Sequence, residues 1–200
     1  MKVIKFLKWY SLEIYSAITI CFLAYTWFVD TNTIQQFVII WTVLLLFHEW
    51  EENAYPWGFI DMYRGNVGLK YNETLRRNSR VYTSILIFLI TLIPFFMSDK
   101  IYLILPLGYL CFLEWCGHTV IWCLFWKVKP YSPGWITAII EFIWSLYLFY
   151  YLISNNFITW WEWIITFLVF FCMFILMYLC LIFIEWLDVT PILKKIWIKK

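Results

Sequence analysis

Six long apolar segments run through this chain, and they limit its possible folds more than any other feature. The 200 residues are 64% hydrophobic and only 14% charged, whereas a soluble domain is roughly half apolar and about a quarter charged. Each segment is near the ~20 residues that a helix needs to cross a bilayer. We therefore predict one all-α domain over residues 1–200, a polytopic membrane bundle of six transmembrane helices. The predicted spans are 14–29, 34–52, 82–97, 101–126, 136–153 and 160–186.

The positions of the basic residues predict how the bundle is oriented. With these spans, every Lys and Arg except Lys100 lies on the same side of the membrane. Because basic loops stay cytoplasmic, we expect both termini inside the cell and the protein in the cell membrane. The first span lacks a small-x-small cleavage site and is expected to be retained. The net charge of +2 does not indicate nucleic acid, and the expected partner is the lipid bilayer.

The longest polar connection, residues 53–81, separates the second and third spans. Pro56 is predicted to stop the second helix at or before Tyr55, since the residue preceding a proline disfavours helix. The stretch "NETLRRNSR" predicts a short polar helix at the membrane surface. The sequence assigns no role to this connection.

Ionisable side chains fall at one depth in three of the spans. At ~1.5 Å per residue, His48 lies ~21 Å from the outer boundary, and Glu114 and His118 lie ~20 and ~25 Å from it. Glu141, on a span that runs the opposite way, also lies ~21 Å from the outside of a ~30 Å core. These side chains are therefore predicted to form a shared polar layer in the cytoplasmic leaflet.

Charge in this layer needs a partner, because the spans contain no Lys or Arg at that depth. An ionised carboxylate at the bilayer centre costs about 2.5 kcal/mol or more on insertion scales. The cluster is thus expected to be partly protonated, bound to a cation, or met by an arginine from the 53–81 connection. The candidate arginines are Arg64, Arg76, Arg77 and Arg80.

Helical spacing groups the polar residues into two sets. Glu51 and Glu52 follow His48 at i+3 and i+4, and His118 follows Glu114 at i+4, so each set shares one helix face. Two histidines with two to four carboxylates suit a divalent metal such as zinc or iron. The predicted metal ligands are His48, Glu52, Glu114 and His118, and the residues predicted to move protons in catalysis are Glu51 and Glu141.

Other interpretations of these residues stay open. The spacing matches neither the HExxH of zinc proteases nor the Glu-x-x-His of di-iron bundles. Glu51 and Glu52 also fit a solvated helix end, and His48 can satisfy itself with a backbone carbonyl of a neighbouring helix. Glu49 is expected to face solvent or headgroups.

Four functions are compatible with this pattern. The leading one is a metal-dependent, membrane-embedded enzyme acting on an apolar or lipid-like substrate. An enzyme can also use the His–Glu pairs as general acid and base without a metal. A non-enzymatic small transporter or ligand-binding membrane protein would use the carboxylates for protons or a cationic ligand. A structural partner subunit is the fourth. The sequence does not decide whether the protein is an enzyme, nor its oligomeric state.

Two sequence blocks resemble a known family. "HEWEE" at residues 48–52 is followed by "NAYPWGF", and "GHTVIWCLFWKVKPYSPGWITAI" begins at Gly117. Together they resemble the HXXEE domain family of small bacterial membrane proteins, over about residues 34–153. The resemblance implies a site built from His48, Glu51, Glu52 and His118, and it implies no particular reaction.

Overall fold

The computed structural model of the chain describes residues 10–53, 73–125 and 131–185. These ranges are helical throughout apart from turns, and they contain no strand. The six α-helices within these ranges are α1 (Ser11–Thr26), α2 (Thr33–Asn53), α3 (Glu73–Phe96), α4 (Leu105–Phe125), α5 (Trp135–Ser154) and α6 (Trp160–Glu185). The predicted all-α fold is therefore confirmed.

Four of the helical segments are long and apolar enough to cross a membrane. They are Thr33–Asn53, Ile101–Val120, Trp135–Ser154 and Trp160–Met177. The apolar parts of α1 and α3, Ser11–Thr26 and Thr83–Phe96, are shorter. The 16 residues of α1 span ~24 Å, less than the ~30 Å hydrocarbon core. Four candidate spans indicate a membrane protein, and the full set of six stays a prediction.

The starts of α3 and α4 differ most from the predicted ones. The polar stretch "NETLRRNSR" was predicted to form a separate surface helix, but α3 begins at Glu73 and continues into the apolar segment. No proline or glycine interrupts α3 before Pro94, so the backbone has no reason to break there. A 3₁₀ turn, Ile101–Ile104, precedes α4. Pro106 lies in the first turn of α4, where its missing N–H is tolerated, so the α-helix begins later than predicted.

Local side-chain caps explain where α2 and α6 begin. Asn32 and Gln35 cap each other reciprocally, each side-chain oxygen accepting the other residue's backbone N–H at 2.9 Å. Thr159 and Glu162 form the same kind of capping box before α6, with Thr159 N–H donating to Glu162 Oε2 at 2.7 Å. Such caps satisfy N–H groups that the first helical turn leaves unpaired. The N-cap position of α5 is Gly134, which has no side chain to cap with.

The core lies where α5 packs against both α2 and α4. Large side chains fill it, among them the fully buried Trp41 and Leu148. Gly108 lets α4 and α5 approach closely, since a Cβ there would lie 2.4 Å from Phe149 Cε1. Small residues at helix contacts are the usual basis of packing between membrane helices, where lipid removes the hydrophobic driving force. The outer faces carry exposed apolar side chains, most densely on α6.

Candidate metal centre

The buried stripe of α2 ends in a histidine. Val38, Trp41, Leu45 and His48 are all buried, and their spacing of three and four residues places them on one face. The side chain of His48 is 2% exposed. The periodicity that packs the core therefore carries this imidazole inward.

The stripes of α4 and α5 contain their ionisable residues in the same way. On α5, Glu141 lies between the buried Ala138 and Ser145, and its side chain is 1% exposed. On α4, His118 lies about one helical turn after Glu114 and about two turns after Cys111. His118 is buried, whereas 31% of the Glu114 side chain is exposed. The residues that are predicted to lie at one depth therefore also lie on the faces by which their helices contact each other. Glu114 is the most exposed of these side chains.

Three of these side chains can ligate one metal ion. Glu114 Oε2 lies 3.9 Å from His48 Nε2 and 3.7 Å from His118 Nε2. One donor atom from each of the three residues lies within 4.8 Å of the other two. Zinc bonds of ~2.0–2.2 Å place the ligand atoms of one ion roughly 3.3–4 Å apart. We call His48, Glu114 and His118 the His/Glu trio.

The trio has the composition of a catalytic rather than a structural metal site. Structural zinc sites take four protein ligands, whereas catalytic sites take three and leave a position for water or substrate. Two histidines with one glutamate are one of the known catalytic sets. The part of the chain that the structure describes offers no second group of this kind.

A hydroxyl group lies beside the second nitrogen of each imidazole. His48 Nδ1 is 2.9 Å from Thr137 Oγ1, and His118 Nδ1 is 3.2 Å from Ser132 Oγ. Metal-binding histidines almost always use their other ring nitrogen in such an outer hydrogen bond, which fixes the ring orientation. Both hydroxyl residues lie in the block that carried the family resemblance, but the sequence analysis assigned them no role.

Gly134 brings the start of α5 against both imidazoles. A Cβ at this position would lie 2.6 Å from His118 Cε1 and 3.1 Å from His48 Cε1. The residue also has φ +87°, a left-handed conformation that side chains with a Cβ disfavour. Glycine is therefore required at this position for two reasons, the left-handed backbone conformation and the lack of space for a Cβ.

Glu51 binds the N-terminus of α5 from a different helix. Its carboxylate accepts the backbone N–H groups of Thr137 at 2.9 Å and Ile136 at 3.3 Å. It also accepts the hydroxyls of Thr137 at 2.5 Å and of Tyr131. These N–H groups are among those that a helix leaves unpaired, and the helix dipole favours a negative charge beside them. Glu51 thus supplies the cap that α5 lacks.

Tyr131 closes the other side of this contact, in the turn before α5. Burial raises the pKa of the Tyr131 hydroxyl, and the hydrogen bond to Glu51 and its charge raise it further. At neutral pH Tyr131 is therefore a protonated donor to Glu51. The turn at residues 131–134 binds the HXXEE stretch at one end and contacts the trio at the other.

Glu141 lies next to the imidazole of His48, closest to its Nδ1. Its Oε2 is 4.0 Å from His48 Nδ1. Its Oε1 is buried and forms no hydrogen bond with any residue that the structure describes. An oxygen with no described partner leaves Glu141 able to take up a proton or a ligand.

The remaining acidic residues of the motif lie outside the trio. Glu52 is half-buried and contributes no atom to the metal-type group, so its role as a ligand stays a prediction. Glu49 was expected to face solvent or headgroups, but this was wrong, because only 8% of it is exposed. Its Oε2 accepts the Asn53 side-chain amide at 3.0 Å. The candidate arginines (Arg64, Arg76, Arg77 and Arg80) lie outside the described side chains.

Fold and site together define the class of this protein. It is all-helical over its described residues, has four helices suited to crossing a membrane, and carries a largely buried His/Glu cluster built from α2 and α4.

The chain belongs to the family described as "Protein of unknown function with HXXEE motif", whose model matches residues 39–148. The motif is His48 to Glu52, so the resemblance predicted from the sequence is confirmed. Comparisons with curated proteins and with solved structures give no match.

Proposed function

We propose that this protein is a membrane-embedded, metal-dependent enzyme acting on an apolar or lipid-like substrate. The observation that carries the proposal is the His/Glu trio, whose donor atoms lie within 4.8 Å of one another. A hydroxyl group lies within hydrogen-bond distance of Nδ1 of each imidazole. The metal would be a divalent ion such as zinc or iron. Bound there, it would activate a water molecule for hydrolytic chemistry.

Glu141 is the residue that we assign to proton transfer. The sequence predicts this role for both Glu51 and Glu141. Glu51 accepts four hydrogen bonds at the start of α5, whereas Glu141 has an oxygen with no partner among the described residues. A general base needs a free acceptor oxygen close to the reacting group. We therefore propose Glu141 as the base and Glu51 as the residue that holds α2 on α5.

Access to the site is proposed from the side of Glu114, the most exposed member of the trio. Trp115 and Phe142, which follow Glu114 and Glu141 in the sequence, stack with ring centroids 4.3 Å apart. An aromatic surface next to a polar site favours an elongated apolar molecule with a polar reacting group. In a bilayer, such a molecule is a lipid or a lipid-like compound.

We further propose that all six helices cross the cell membrane, with both termini in the cytoplasm. The four candidate spans and the one-sided distribution of Lys and Arg support this arrangement. α1 can span a locally thinned bilayer despite its length, since a short segment is accommodated at modest cost. The site then lies in the cytoplasmic leaflet.

The test uses purified protein in lipid nanodiscs, loaded with zinc or with iron(II) under anaerobic conditions. It is incubated with a total lipid extract, and the lipids are compared by mass spectrometry before and after. We expect the wild-type protein to convert a lipid class, and the Glu141→Gln variant to retain its metal and lose the conversion. Unchanged lipids in the presence of fully metal-loaded protein would contradict the enzymatic proposal.

A small transporter is the second candidate, favoured by the buried carboxylates Glu49 and Glu141 and the partly buried Glu114. Clusters of buried carboxylates carry protons in many pumps and transporters. In proteoliposomes, this candidate predicts a cation flux driven by a proton gradient and lost in Glu114→Gln. However, α2 and α4 are continuous through the positions of His48, Glu114 and His118, whereas discontinuous helices are typical of transporter sites. We therefore place the enzyme first.

A further inference from the structure

His48 and Glu51 of the motif are connected by hydrogen bonds through a side chain of another helix. Thr137 Oγ1, on α5, lies 2.5 Å from Glu51 Oε2 and 2.9 Å from His48 Nδ1, both on α2. Glu51 and His48 are three residues apart on the same helix, yet they do not bond each other directly. The hydroxyl of Thr137 therefore lies in a continuous chain of hydrogen bonds between them.

The direction of this chain follows from the number of available protons. A threonine hydroxyl has one proton to donate and can accept others. Both Glu51 oxygens already accept other donors, Oε1 from Tyr131 and the Ile136 N–H and Oε2 from the Thr137 N–H. This set of donors favours the ionised carboxylate, whose oxygens only accept. The other acceptor near the hydroxyl, the Gly134 carbonyl at 3.2 Å, cannot donate either. The Thr137 proton therefore points to one of these oxygens, and His48 Nδ1 has to carry its own proton.

We propose that Glu51 acts through Thr137 to set the tautomer of His48, which places the proton on Nδ1 and leaves Nε2 free to bind a ligand. Nε2 is the nitrogen that points to Glu114, at 3.9 Å, and it forms no hydrogen bond with the described residues. Glu51 and Thr137 are thus positioning residues. That the ligand is a metal rests on the function proposed above, whereas the tautomer rests on the hydrogen bonds alone.

The opposite tautomer of His48 would require a protonated Glu51. If Glu51 were protonated, it would donate to Thr137, which would donate in turn to His48 Nδ1 and leave the imidazole proton on Nε2. The trio would then present an N–H group where it needs a lone pair. The two arrangements differ in which nitrogen of one imidazole carries a proton, and this can be measured.

The experiment is ¹⁵N NMR of metal-free protein in nanodiscs, with ¹⁵N introduced into the imidazole rings. The chain has only two histidines, and a His118→Asn variant assigns their signals. Protonated and unprotonated ring nitrogens have well-separated ¹⁵N shifts, so the spectrum reports the tautomer directly. We expect His48 to carry its proton on Nδ1 in the wild-type protein.

Two substitutions test the role of Thr137. Thr137→Val keeps the shape and removes the hydroxyl, so the population with Nδ1 protonated should fall and metal affinity should decrease about 10- to 100-fold, as for other lost outer-shell partners. Thr137→Ser keeps the hydroxyl and should behave like the wild type. Thr42→Val is the matched control, since Thr42 donates to Val38 O within its own helix at 2.7 Å and its loss should leave the His48 signals unchanged.

The outcomes separate this inference from the proposed function. A wild-type His48 with its proton on Nε2, or a Thr137→Val spectrum identical to the wild type, would overturn the inference even if the protein binds metal. Tautomer control by Thr137 in a protein that binds no zinc or iron would uphold the inference and overturn the proposed metal site. The wild-type spectrum needs no variant to fold, so the first criterion is always available.

Discussion

At the residue scale, the closest packing in the site is between Gly134 and the two imidazoles. Any side chain at this position would need the histidines to move, because its Cβ would lie 2.6 Å from His118 Cε1 and 2.9 Å from its Nε2. The turn before α5 therefore packs directly against both His48 and His118. Their ring centroids are 5.2 Å apart, with the rings nearly perpendicular at 83°.

Gly134→Ala is expected to disrupt the trio with only a moderate loss of stability. The strained left-handed backbone costs about 1–2 kcal/mol, and displacement of the imidazoles should remove metal binding altogether. Gly117→Ala, on α4, is the control, because a Cβ there meets no atom within 4 Å and alanine favours helix. Binding of zinc by titration calorimetry measures the effect. Equal affinities of Gly134→Ala and the wild-type protein would contradict the described contact.

The sequence located some of the site residues and not others, for identifiable reasons. His48, Glu114, His118 and Glu141 follow the helical periodicity of their own segments, so depth and spacing along the chain predicted that they would meet. Thr137 and Ser132 were missed because their importance comes from what faces them across a helix contact. The burial of Glu49 was missed for the same reason, since one helix alone does not show where its neighbours lie.

At the element scale, the helices differ in how their N-termini are satisfied. α2 and α6 have capping boxes that can be recognised from sequence, Asn32 with Gln35 and Thr159 with Glu162. α5 follows a Ser-Pro-Gly turn with no capping side chain, and it takes its cap from Glu51 on α2. A helix start without a local cap is a sequence signal that a charged residue elsewhere is needed, although the sequence does not say which one.

The contact between α4 and α5 at Gly108 leads to a prediction about helix packing. Gly108→Ala places a Cβ 2.4 Å from the Phe149 ring, and overpacking of this kind typically costs about 1–3 kcal/mol. We expect a lower unfolding temperature in detergent, followed by circular dichroism. Gly117→Ala on the same helix should be neutral or stabilising, since alanine exceeds glycine by about 1 kcal/mol in helix propensity.

A second substitution makes the Gly108 prediction specific. Phe149→Leu removes the ring edge that the new Cβ meets, so the double variant Gly108→Ala, Phe149→Leu should be less destabilised than the sum of the two single variants. Strict additivity of the three unfolding temperatures would show that α4 and α5 do not meet at this point.

At the scale of the whole molecule, the arrangement of helices across the bilayer determines which side reaches the site. The turn that contains Lys100 connects α3 and α4 and carries the one basic residue predicted to lie outside. Asp99 and Lys100 are exposed there, with their charged atoms 3.2 Å apart. The opposite ends of α2, α4 and α5 surround the trio.

An Asp99→Cys variant tests this orientation in intact cells. We expect a membrane-impermeant maleimide to label it from outside, with the wild-type chain as the background, since its native cysteines lie in apolar segments. We also expect activity from a reporter that works only in the cytoplasm when it is fused after Lys200, because the C-terminus is predicted to be cytoplasmic. Labelling of Asp99→Cys only after the cells are opened would reverse the topology and place the site in the outer leaflet.

Metal content is the most direct test of the central claim that His48, Glu114 and His118 form a metal centre. Detergent-purified protein is analysed by inductively coupled plasma mass spectrometry beside a His48→Ala, His118→Ala double variant. A Cys116→Ala variant, which changes another metal-type side chain on α4, is the control. We predict about one zinc or iron per chain in the wild-type and Cys116→Ala proteins and none in the double variant. Metal at background level in all three, or equal metal in the double variant, would contradict the account.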